Sequence, residues 1–177
     1  MTSKPDFPYV VDAVLNMYEE YDFKKIDVFE MVNKLVIKLI PYSALNKIKQ
    51  QECLKVSTDG FSLESSGQWY IYYNDNIDNF GRVKFTIMHE IGHYILGHSG
   101  KGEFEEQEAN CFAKYALAPP PLIHQLPYVE VSSIQNEFEI SFEAALYAYN
   151  YYLKWLRFGG DSYTEQEKKL IERFKIA

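Results

Sequence analysis

Residues Arg82 to Leu96 read RVKFTIMHEIGHYIL, and His89, Glu90 and His93 within them form an HExxH on a predicted helix. At about 100° per residue, positions i and i+4 differ by about 40°, so both imidazoles leave one face of the helix. Two neutral imidazoles placed this way can bind one Zn²⁺. Glu90 lies about 100° round from His89. It reaches a water at the metal but is poorly aimed to ligate, so it reads as the general base.

A third ligand must come from elsewhere. The continuation HExxHxxGxxH would put Gly and His where this chain has Leu96 and Ser99. His98, about 180° from His89 on a continued helix, reads as a solvent-side or helix-terminal residue. The other arrangement takes a glutamate from a following helix, here the predicted helix Glu103 to Leu117. On its wheel Glu108 sits among Phe104, Cys111, Phe112 and Tyr115, with Glu105 at the rim and Glu103 and Glu106 pointing outward. A carboxylate centred on an apolar face is costly unless it is paired or binds a metal. Glu108 is therefore expected to complete the site, a buried ion pair to Lys84 or Arg82 being the alternative. Cys111 reads as core. Asn110 points off the ligand face and reads as an outer-shell or loop-capping group, and His124 as a surface histidine.

Around this centre the chain alternates helix and strand signals without a repeat. Helices are predicted over Pro8 to Tyr21 and from a capping box at Asp27 to Glu30 as far as Pro41. Strands are predicted at Lys47 to Val56, Phe61 to Glu64 and Gly67 to Tyr73, with turns at Asp59-Gly60 and Ser65-Ser66-Gly67. Helices follow at Val131 to Phe138 and Phe142 to Arg157, with a short tail after Gly159-Gly160. The expected class is α+β: a small twisted sheet on an active-site helix, with flanking N- and C-terminal helices. The expected organisation is one domain over 1–177. It has an N-terminal helical part (1–45), the sheet and zinc-site helices (46–120) and a C-terminal helical part (121–177).

Composition narrows the function. The 177 residues carry 18 Lys+Arg against 25 Asp+Glu, a net charge of −7, which argues against a nucleic-acid reader. Cys53 and Cys111 make no disulfide framework. Met1 to Val10 has no apolar signal core, and Val32 to Ile40 is too short and too charged to span a bilayer. A cytoplasmic, membrane-free protein is expected. The aromatic run Tyr147 to Trp155 reads as core packing on two sides.

The stretch Gly67 to Pro119 resembles the ImmA/IrrE family of zinc metallopeptidases. The residues that carry the likeness are Trp69 to Asn74 (WYIYYN), Lys84 to His93 (KFTIMHEIGH), Glu108 to Ala113 (EANCFA) and Pro119. Weaker likeness extends to Ile26-Asp-Val-Phe29 and Phe138-Glu-Ile-Ser141. Lys84 replaces the usual Arg, and Ala118-Pro119 the usual Met-Pro. The resemblance implies a gluzincin-like fold of the zincin type, with zinc on His89, His93 and Glu108. It also implies cleavage of helix-turn-helix repressors of phage, mobile elements or stress regulons. The rival expectation is a non-catalytic anti-repressor or toxin–antitoxin partner on the same fold.

Overall fold

A computed structural model describes residues 7–159 and 162–175. The reading of the first six residues as free of a signal core, and of Gly160 as part of a turn, lies outside them. Helix α1 (Pro8–Glu20) starts on Pro8, whose fixed φ suits a first helical turn, and buries Val10, Val14, Met17 and Tyr18. Helix α2 (Val28–Lys34) is capped by Asp27, whose carboxylate accepts from the N–H groups of Phe29 (2.8 Å) and Glu30 (3.3 Å). The expected box is not reciprocal, because Glu30 accepts from the Lys24 N–H instead (3.0 Å). Nor does the helix run to Pro41. Val36 adopts φ 58° and the chain turns into strand β1, Lys38–Pro41. The β-branched residues Ile37 and Ile40 favour the extended chain that follows the turn.

Strands β2 (Gly60–Ser65) and β3 (Gln68–Tyr73) form a hairpin through Ser66 (φ 52°) and Gly67 (φ 77°), the two positive angles a type I′ turn needs. The sheet order is β1-β3-β2, with β1 parallel and β2 antiparallel to β3. Leu39 and Ser62 both face fully buried Ile71.

Residues 47–56, expected as strand, form helix α3 (Lys47–Val56). Asn46 caps it, accepting from the Lys49 N–H at 3.0 Å. No apolar face directs this segment to the core, since Ile48, Leu54 and Val56 are all exposed and only Cys53 is buried. Good helix formers (Lys, Gln, Glu, Leu) decide the conformation where packing does not.

Helix α4 (Phe80–Ile95), capped by Asn79, packs across β2 and β3. Its inner face buries Ile87, Met88 and Ile91 completely. Helix α5 (Glu103–Leu117) lies against it so closely that a Cβ on Gly92 would sit 3.1 Å from the Phe112 side chain. A short helix α6 (Pro120–Ile123) follows, then α7 (Val131–Phe138), α8 (Phe142–Arg157) capped by Ser141, and α9 (Glu165–Arg173) opened by the Thr164–Glu167 capping box. Lys84 is buried and donates to the Phe138 carbonyl (2.9 Å) 3.5 Å from Glu139, tying α4 to the end of α7. Helix α9 returns to α1, where Lys169 pairs with Glu19 and Arg173 donates to the Tyr18 and Tyr21 carbonyls. The α+β class holds: a three-stranded sheet on the HExxH helix, flanked by helices, as in a zincin-like peptidase.

One glycine sets how closely sheet and helix meet. A Cβ on Gly60 would stand 2.7 Å from the Tyr72 carbonyl oxygen and 2.7 Å from Thr86 Cγ2. Gly60→Ala is therefore expected to cost about 1–3 kcal/mol, read as a lower denaturation midpoint. An unchanged midpoint would contradict this packing.

Candidate metal centre

Helix α4 delivers His89 and His93 one turn apart, and their Nε2 atoms face each other at 3.1 Å. Each ring has its other nitrogen engaged. His89 Nδ1 is 3.1 Å from Asn110 Oδ1, a pure acceptor, so the proton is on Nδ1. His93 Nδ1 is 2.8 Å from His98 Nδ1. Burial pushes the His93 imidazole down to about 4, against the pull of the Glu90 charge, so the ring is neutral at neutral pH.

The carboxylate that meets the two Nε2 atoms is Glu106, with Oε2 3.2 Å from His89 and Oε1 3.2 Å from His93. Among the described residues, His89, His93 and Glu106 form the group able to hold a metal ion. Two imidazole lone pairs and a carboxylate converge with no donor between them, an arrangement complementary to a cation. Tetrahedral zinc with bonds of about 2.0–2.1 Å needs ligand atoms about 3.3–3.4 Å apart. The observed separations of 3.1, 3.2 and 3.2 Å fit that demand.

Glu108, expected as the third ligand, is not beside the pair. It is buried, accepts from Tyr9 Oη and lies 2.9 Å from His98 Nε2. The alternative, an ion pair to Lys84 or Arg82, is not formed either, since Lys84 meets Glu139 and Arg82 meets Asp59. The helical wheel found a buried face of α5, and Glu108's part of it meets α1: Phe7 packs edge-on to Phe104 and Tyr9 Oη donates to Glu108, while Phe112 reaches Gly92 of α4 and Tyr115 meets Tyr151 of α8. Glu106 and Asn110 reach the α4 histidines, and on the helix they fall in line with Ala113 and Leu117 at i, i+4, i+7 and i+11. Polar residues one turn apart, in line with small and apolar ones, were the available signal. His98 does stand at the helix end, its N–H returning to the His93 carbonyl, but it is not solvent-side: its side chain is 8% exposed and held between His93 and Glu108. Asn110 holds the Nδ1 of His89, and His124 packs at tilted and edge-on angles among Tyr152, Trp155 and Tyr163.

Glu90 is 3% exposed, with its Oε2 accepting from Ser62 Oγ (2.5 Å) and from Lys101 Nζ (2.9 Å). Burial works to raise its pKa. The Lys101 charge and hydrogen bond, together with Ser62, outweigh burial and hold the carboxyl below the usual glutamate value. Neither Ser62, on β2, nor Lys101, in the glycine-flanked loop before α5, stands out in sequence. Glu90 and Lys101 line a cleft of about 440 Å³ together with His89, Glu106, Gly60, Phe61 and Phe85. No helix among the described residues is long and apolar enough to cross a membrane.

A family model described as the IrrE N-terminal-like domain, Peptidase_M78, matches residues 39–150, which contain β1 through most of α8. Comparison with curated proteins finds no match. With the HExxH helix, its converging carboxylate and most of the chain inside the matched segment, this protein belongs to the Peptidase_M78 family of metallopeptidase-type, IrrE N-terminal-like domains.

Proposed function

We propose that the chain is a zinc-dependent endopeptidase whose substrate is a helix-turn-helix repressor. The observation that carries the reading is the ring of three acceptors at zinc-ligand spacing beside a buried, separately held carboxylate. His89, His93 and Glu106 would hold the ion. When bound, zinc supplies Lewis acidity, polarising a carbonyl and lowering the pKa of water. Ser62 and Lys101 fix the plane of the Glu90 carboxylate through Oε2. No hydrogen bond among the described residues falls on Oε1, and that oxygen takes the proton from the attacking water.

The polypeptide is oriented by β2, an outer strand with no neighbour on its free side among the described residues. An extended peptide adds to such an edge through main-chain hydrogen bonds. A peptide on that edge would run along the cleft that His89 and Glu90 also line, which favours an extended segment over a folded helix as the direct substrate. The repressor assignment rests on the family resemblance. The net charge of −7 supports it, because a basic DNA-binding protein meets this surface favourably.

The test is incubation of zinc-loaded protein with the repressor encoded beside its gene, products being identified by mass spectrometry. Cleavage at one bond, stopped by a chelator, is the expected result. Capture should weaken as ionic strength rises, because the attraction is screened within about 10 Å at 0.1 M salt. Stoichiometric capture without cleavage would make the protein a binding module. Tight binding of DNA by the isolated chain would contradict the substrate assignment.

A further inference from the structure

Behind His93 lies a chain of hydrogen bonds that the metal chemistry does not use directly. Helix α4 ends at Ile95, Gly97 takes φ 69°, and the His98 N–H returns to the His93 carbonyl at 3.0 Å. This brings the His98 ring to 2.8 Å from His93 Nδ1 on one side and 2.9 Å from Glu108 Oε2 on the other. Tyr9 of α1 donates to the other oxygen of Glu108. Phe7, edge-on to Phe104 at 5.5 Å, holds the start of α1 over α5.

The proton positions follow from donor counting. A carboxylate only accepts, so His98 must donate from Nε2. In a neutral ring its Nδ1 then accepts, and the hydrogen between the two histidines belongs to His93 Nδ1. His93 Nε2 is left as a bare lone pair aimed at His89 Nε2 and Glu106. The opposite tautomer would put an N–H where a ligand is needed. We propose that His98, anchored by Glu108 and Tyr9, is a positioning residue that fixes His93 in its metal-binding tautomer and orientation. The inference rests on the zinc-site reading above, and it gives α1, which lies outside the segment 39–150 matched by the family model, a part in the site. It also explains why a carboxylate that ligates nothing is buried on α5.

The test uses the full chain and two readouts besides activity. Two-bond ¹H–¹⁵N NMR of the metal-free protein at neutral pH should show His93 protonated on Nδ1 and bare on Nε2. Zinc affinity is measured by competition with a chromophoric chelator. His98→Phe keeps the ring shape but removes both polar atoms. It should weaken zinc by roughly ten- to a hundredfold and leave His93 a mixture of tautomers. His98→Gln, whose carbonyl can accept from His93 while its amide donates to Glu108, should return most of the affinity. Melting curves without metal separate these effects from unfolding. A wild-type His93 protonated on Nε2 would overturn the inference, as would His98→Phe with unchanged tautomer and affinity. The wild-type tautomer alone decides it if His98→Phe fails to fold. A wild-type chain that binds no zinc would instead overturn the zinc-site reading.

Discussion

Glu90→Gln is expected to abolish peptide hydrolysis while leaving one zinc equivalent bound. The exchange is nearly isosteric in a side chain that is 3% exposed, and an amide oxygen can still accept from Ser62 Oγ. Lys101, whose side chain is 40% exposed, can turn to water when its partner loses charge. An amide cannot take a proton, and a positioned base contributes about 10²–10⁴-fold. The paired measurement is turnover of the repressor beside zinc content. Cleavage at the wild-type rate would remove Glu90 from the mechanism, and lost zinc would make it a ligand or a structural support.

The second large effect separates Glu106 from Glu108. Zinc sites with four ligands bind with about 10–16 kcal/mol, so each of them contributes on the order of 3–4 kcal/mol, or two to three decades of affinity. Glu106→Gln, His89→Ala and His93→Ala should each lose that much and come through dialysis without metal. Glu108→Gln keeps an oxygen that can accept from His98. It should retain a full equivalent with affinity within about tenfold of wild type, since it acts one histidine away. Chelator competition gives the order. If Glu108→Gln loses zinc and Glu106→Gln keeps it, the structural assignment is reversed.

The HExxH could be read directly because helical periodicity alone puts His89 and His93 on one face. The β2–β3 hairpin was visible through Ser66-Gly67, and the starts of α1, α2 and α8 through Pro8, Asp27 and Ser141. Glu106 was not, for a definite reason. A wheel ranks positions by how apolar their surroundings are, and α5 is covered by α1, α4 and α8. Glu108 lies among the more apolar residues, whereas Glu106, which meets the α4 histidines, is at a more polar boundary and keeps a side chain 40% exposed. His98 was legible as a helix-terminal residue, but its burial was not, because the wheel continued a helix that Gly97 ends. Residues 47–56 were misread because an exposed helix carries no facial pattern, so the cap at Asn46 was the better evidence. Lys101 and Ser62 reach Glu90 from a loop and a strand that only tertiary structure brings together.

Anomalous diffraction at the zinc edge from crystals of the zinc-loaded chain would test the centre most directly. The expected map has one peak bonded to His89 Nε2, His93 Nε2 and the Glu106 carboxylate, with Glu108 still on His98. A peak on Glu108, or none within bonding distance of the two histidines, would contradict the metal centre described above.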